Sequence, residues 1–263
     1  MKYLKYFEQA SAYEAYKNGS DFITPNVSYA VDVNSIYYNP GSSASSDYVM
    51  VDLGLPSGLL WADKNIGAVG PEDAGLYFAW GETVGYTAEQ IGTDKYFNLN
   101  WSDYFDTTDG GSTFNKYYKS GLTALEASDD AAAVNMGSEY RMPSKADFEE
   151  LVSTCNVTFI DLSGNEFSMS DAQSDGITKD NLKGIRFTGT NGNSIFLPAA
   201  GYCYNSNLNA VSSNGYLWSS SLNSDDAKSV SAYILCFRLD PYLNISTGRR
   251  FFGQPVRGVK SNK

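Results

Sequence analysis

The sequence predicts an α+β fold, in which two short helices are set in a chain that is otherwise strand and turn, with a small module in front. Three observations carry this. In the main part of the chain only two stretches, near residues 129–135 and 144–155, combine helical spacing with start and stop residues. After the second of them, short apolar or alternating runs sit between Gly, Asn and Pro turns. And 42% hydrophobic residues in a chain of 263 are enough to bury a sizeable core.

Taken in order, residues 1–47 read as a small separate module that packs on the rest of the chain or on a partner. Ser11 and Glu14 fit a capping box, Gly19 stops a helix of about two turns, and Val27–Val33 and Ser35–Tyr38 read as strands. The run Gly41–Ser46 has linker composition, so the main domain is placed at 48–263. There, Val49–Leu53 and Leu59–Asn65 are strands around a Leu55–Gly58 turn, and Gly75–Gly81 is a buried aromatic run. Glu82–Ser120 has little periodicity and reads as a long surface excursion. Asp129 and Asp130 open the first helix and Gly137 ends it. Ser144 with Asp147 caps the second, and Phe148, Leu151, Val152 and Cys155 share one face. Strands at Val157–Leu162, Gly184–Thr188 and Ser194–Pro198 follow, the last two joined by an Asn191-Gly192 turn.

The last quarter, Gly215 to Val259, organises the rest. Within a strand from Ser231 to Leu239, alternation turns Tyr233, Leu235, Phe237 and Leu239 inward and Ala232, Ile234, Cys236 and Arg238 the other way. That second set mixes apolar, thiol and cationic groups, as do the loop Asp240–Asn244 and the run Arg249–Phe252, which is the composition of a contact surface. The alternative is a strand buried on both faces. A second short strand, Pro255–Val259, closes the segment.

Charge and composition exclude several functions. Nineteen basic against thirty acidic residues give a net charge of −11, which disfavours nucleic acid or an anionic membrane surface as partner, leaving Arg249-Arg250 as a local cationic spot. The absence of His removes the commonest general base and transition-metal ligand. Cys155, Cys203 and Cys236 form no metal-ligand spacing and read as buried free thiols. No stretch is long enough to span a bilayer, and Met1–Gly19 lacks the apolar core of a secretory signal. Twenty Tyr with 24 Gly and abundant Ser and Asn match either an antibody-like binding surface or a turn-rich β protein.

Catalytic motifs weigh little. Glu72-Asp73, Asp129-Asp130 and Glu149-Glu150 read as a turn, a helix start and a solvated face, and Ser219–Ser221 have no base to activate them. Asp225-Asp226, or Asp171 with Asp175, lack EF-hand spacing and read as solvated loops rather than calcium ligands. No catalytic residue, cofactor or metal is assigned.

Four pieces in order carry a family resemblance: residues 51–68 (VDLGLPSGLLWADKNIGA), 77–82 (YFAWGE), 129–155 with its Arg141–Ser144 helix entry, and 191–259 from NGNSIFLPAAGY through GYLWSSS to VRGV. Together they resemble the FISUMP domains of gut Bacteroidetes and their phages, similar to the formylglycine-generating-enzyme type of C-type lectin fold. The resemblance implies two helices, a twisted antiparallel sheet, long loops and termini brought together. It does not extend to the oxidase, whose catalytic cysteines have no matching positions, nor to a calcium-sugar motif, where WSSS stands instead.

The terminal segment also resembles the variable region of retroelement-diversified proteins. That likeness makes Trp218, Tyr233, Leu235, Phe237, Gly253, Val256 and Val259 scaffold. It makes Ile234, Cys236, Arg238, Asp240, Tyr242, Asn244, Arg249, Phe251 and Phe252 ligand-facing. The N-terminal segment resembles leader modules of gut-phage structural proteins. The expectation is therefore a non-enzymatic receptor-binding protein of a phage or prophage particle, attached through residues 1–47 to the tail, raised in avidity by a trimer, and binding a bacterial surface protein or glycan. The rival readings are a cell-surface adhesin of the same fold and, behind it, an enzyme on the same scaffold.

Overall fold

The computed structural model describes residues 3–4, 31–32, 48–98, 117, 121–170, 181–225, 230–238 and 242–262. The chain divides into two compact units, Met1–Ala44 and Ser45–Lys263. In the first, β1 (Tyr3–Leu4) pairs antiparallel with β2 (Val31–Asp32). The helix expected after Ser11 and the strand at Ser35–Tyr38 lie outside the described residues.

The second unit is β-rich, which corrects the α+β, lectin-like expectation. Strands take up 41% of the described residues against 11% helix, and the strands form several small antiparallel sheets. The two helices were placed correctly but are minor. α1 (Ala131–Met136) has six residues, capped by Asp130 and ended at Gly137, where φ is +123°. α2 (Lys145–Thr154) has ten, with Ser144 and Asp147 in a reciprocal capping box and Phe148 and Leu151 buried. The Gly, Asn, Ser and Tyr that fill the remaining sequence favour turns and pleated, half-buried surfaces over helix, so they extend the sheets.

A four-stranded sheet runs β7 (Glu166–Phe167), β6 (Asn156–Asp161), β8 (Leu182–Thr188), β9 (Ser194–Pro198). In the β8–β9 turn the Gly192 amide donates to the Gly189 carbonyl and Gly192 itself sits at φ +86°, the left-handed residue that closes this longer hairpin loop. A small sheet places β4 (Leu59–Ala62) between β3 (Met50–Asp52) and the C-terminal β16 (Val259–Ser261). Two pairs join β5 (Tyr77–Phe78) to β15 (Gln254–Pro255) and β10 (Tyr202–Tyr204) to β11 (Asn207–Asn209).

The terminal sheet, β12 (Asn214–Leu222), β13 (Ser231–Arg238) and β14 (Tyr242–Arg249), sits between two cores. Leu217, Leu235 and Phe237 join Trp61, Phe148, Leu151 and the inward residues of β6, β8 and β9 in one. Trp218, Ala232, Ile234 and Cys236 join Phe78, Trp80, Met142 and Val256 in the other. β13 is thus buried on both faces, so the two-sided alternative holds for Ala232, Ile234 and Cys236. Phe237 lies so flat on β12 that a Cβ at Gly215 would come within 1.9 Å of its ring, so that position accepts only glycine. A third cluster packs Tyr77, Phe97 and Cys203. All three cysteines are buried and outside any disulfide, as expected.

The four sequence pieces that carry the family resemblance meet as scaffold. Trp218 Nε1 donates to the Phe78 carbonyl at 2.9 Å, and Trp80 Nε1 to the Ser219 carbonyl at 2.7 Å. The Ser220 amide bonds the Pro143 carbonyl and Ser221 Oγ accepts from the Lys145 amide, tying the bulged end of β12 to the α2 entry. Arg257 is fully buried yet donates to Asn65 Oδ1 and to the carbonyls of Ala62 and Phe196 at 2.8–2.9 Å. Burial pushes its guanidinium down to about 9, because the site has taken it out of water, and the three hydrogen bonds satisfy its donors there. Ser219 and Ser220 are buried and their segment is committed to holding the helix entry. WSSS is therefore a joint between β12 and the α2 entry.

Candidate surface on the terminal sheet

On the face of the terminal sheet that covers the second core, two rows of side chains lie side by side. Register places Asn214 beside Arg238 and Arg238 beside Tyr242; the next row is Tyr216, Cys236 and Asn244. Toward Trp218 and Ile234 this face is sealed, but toward Asn214 and Arg238 the core runs out. Arg238 and Asn244 are exposed there, and Asn214, Tyr216 and Tyr242 half-buried.

Local pairs fix these groups. Asn214 Nδ2 donates to Tyr216 Oη at 2.6 Å and Asn244 Nδ2 to Tyr242 Oη at 3.3 Å. The Arg238 guanidinium lies 4.4 Å from the centre of the Tyr242 ring, a contact worth about 0.5–1 kcal/mol at a solvated site. Burial raises the Tyr216 hydroxyl above its ordinary value, with the neighbouring Cys236 adding to it. Tyr216 therefore stays protonated at neutral pH, able both to donate and to accept.

Beyond Tyr216 the surface continues as aromatic rings. Tyr202 lies edge-on to Tyr216 at 5.4 Å and 5.2 Å from Phe252, which is itself 5.2 Å from Tyr204 and 5.0 Å from Phe251. Tyr204 is 40% exposed, Tyr202 and Phe252 are half-buried, and Phe251 is buried behind them. Such tilted and edge-to-face contacts hold each ring in one orientation, so the surface is built before anything docks on it.

Of the nine residues expected to face a ligand, Arg238, Tyr242, Asn244 and Phe252 come together here. Ile234, Cys236 and Phe251 do not face outward: each is at most 6% exposed, because the second core covers the side of β13 that alternation alone left open. Arg249 is exposed but stands seven residues from Tyr242 and on the other face of β14, about 23 Å along the strand. The local cationic spot left open at Arg249-Arg250 reduces to Arg249, since Arg250 is buried with its guanidinium 4.6 Å from the Trp80 ring. Asp240 lies outside the described residues, as do Asp171, Asp175 and Asp226. Asn214, Tyr216, Tyr202 and Tyr204 escaped the sequence reading. The first two precede WSSS at alternate positions on β12, a visible signal, but Tyr202 and Tyr204 reach the surface through a separate hairpin.

Elsewhere lies a cleft of about 470 Å³, lined in part by Asp130, Glu139, Tyr140, Arg141, Ser220 and Lys260. Its charges are already engaged. Asp130 accepts from the amides of Ala132, Ala133 and Met142, Arg141 pairs with Asp147, and Lys260 with Glu139. The thiols offer no nucleophile at neutral pH where their shift is resolved: burial pushes Cys155 up to about 11 and Cys203 further. Buried Lys95 and Glu82 pair with each other, with Lys95 over the rings of Tyr86 and Phe97, which pins the start of the 82–120 excursion.

No protein-family model, curated protein or solved structure matches the chain. Among the described residues no helix is long and apolar enough to cross a membrane.

Proposed function

We propose that this chain is a non-enzymatic recognition protein and that the open end of the terminal sheet is its contact surface. The observation that carries the reading is the continuous, mutually braced set Arg238, Tyr242, Asn244, Asn214, Tyr216, Tyr202, Phe252 and Tyr204, in which aromatic rings and amides are half-solvated on a rigid strand platform. Tyr and Arg are the side chains that most often dominate binding energy, and rigid placement lowers the entropy lost on contact. The partner is placed on a bacterial surface, and attachment to a phage or prophage particle through residues 1–47, on the strength of the sequence resemblances. Multivalent display on such a particle raises a modest single-site affinity.

The test uses the labelled full chain and a panel of intact gut-bacterial cells, with an Arg238→Ala/Tyr242→Ala variant alongside. Cells that retain the wild type are expected to retain the variant at least about tenfold less well. Equal retention of both by the same cells moves the contact site elsewhere.

A further inference from the structure

We infer that the ligand of this surface is a neutral oligosaccharide; the inference rests on the recognition reading above. Three features point to it. The first is size. The three strands span about 10 Å, and beyond them Tyr202, Phe252 and Tyr204 follow at ring-to-ring steps of 5.2–5.4 Å. These eight described residues are well short of the roughly 20–30 per side that a standard protein interface uses.

The second is chemistry. The surface alternates aromatic rings with carboxamides and phenols: Tyr216 with Asn214, Tyr242 with Asn244, and Tyr202, Tyr204 and Phe252 beside them. Amides and phenols both donate and accept hydrogen bonds, which suits hydroxyl groups that do the same. Half-exposed rings offer apolar faces to the C–H side of a pyranose. Protein-binding surfaces instead centre on a larger, fully desolvated core, and no aliphatic side chain belongs to this set.

The third is charge. Among the described residues of the surface Arg238 is the single charged side chain, and its guanidinium rests against the Tyr242 ring. These described residues select a ligand by shape and hydroxyl pattern, and their contacts to it depend little on salt.

The experiment takes bacterial cells that bind the full chain and treats them with mild periodate, which cleaves vicinal diols, or with a broad protease. A Tyr204→Ala/Asn244→Ala variant and a thermal melt of both proteins are run in parallel. Loss of binding of about tenfold or more after periodate, with a similar loss in the folded variant, is the result expected. Binding that survives periodate but falls after protease identifies a protein ligand and overturns the oligosaccharide inference while leaving the recognition reading intact. Periodate-sensitive binding that the folded variant retains in full overturns the site. A chain that binds none of the cells overturns both.

Discussion

The two ends of the terminal sheet's face toward the second core share strands and register, yet one is sealed and the other open. At the sealed end Trp218, Ile234 and Ala232 lie under Trp80 and Val256, and the backbone of β12 is tied to Pro143 and Lys145. At the open end, within about four residues, Asn214, Arg238 and Tyr242 meet water. The lesson is that one strand can be scaffold and contact surface in turn. The boundary is set by where β5, β15 and α1 stop covering the sheet, not by any change in the strand itself.

The largest effect that breaks this contrast is expected at the sealed end. Trp218→Ala removes a fully buried ring and its bond to Phe78, at a cost of about 3–5 kcal/mol. Urea unfolding should show a matching fall in midpoint, and thermal melting a drop of roughly 10 °C or more. A change within error would mean that the Trp80–Trp218 joint does not hold the sheet. At the open end the expectation reverses. Tyr204→Ala, which gives up only the exposed ring's contacts to Phe251 and Phe252, should lower the unfolding free energy by no more than about 1–2 kcal/mol while cell binding falls.

A smaller, pH-dependent effect separates the helix entry from both ends. Burial works to raise the Asp147 carboxyl, but the Arg141 guanidinium and the Ser144 hydroxyl and amide outweigh it and hold it below its ordinary value. A carboxylate depressed by folding stabilises the native state above its unfolded pKa, about 3.9, and that contribution is lost as pH falls through the lower folded value. Asp147→Asn should therefore cost about 1–2 kcal/mol at pH 7, with the difference from wild type fading below about pH 4. A gap that persists unchanged at pH 3 would assign the loss to packing instead. The smallest effect is expected on the helix-covered face, where Lys145 lies 4.6 Å above Tyr233. Lys145→Ala should move stability by no more than about 1 kcal/mol in denaturant titration and leave binding untouched.

Local structure was legible in the sequence where short-range chemistry decides it. The Ser144–Asp147 box, the Asp130 cap, the Asn191-Gly192 turn and the buried run Leu76–Trp80 stand as expected. The fold class was not, because two well-marked helices drew weight that the many short strands, each weakly patterned, outnumber. The outward face of β13 was misread for a related reason: alternation says that Ile234 and Leu235 point opposite ways, but not that both directions are covered. Tyr202 and Tyr204 belong to the surface only through the packing of Phe252 on their hairpin, and no local pattern encodes that contact.

The closing joints of the second unit are also its most distant in sequence. Arg257 reaches Asn65 and Ala62 across 192 and 195 positions, and β16 completes the sheet begun by β3 and β4. During synthesis the first two strands emerge long before their third partner exists, and β4 waits with an open edge. The unit can therefore close only after residue 261 has left the ribosome, and its folding belongs among the slow, long-range β topologies. The interval before closure is when the nascent chain is most open to mispairing and most in need of a chaperone.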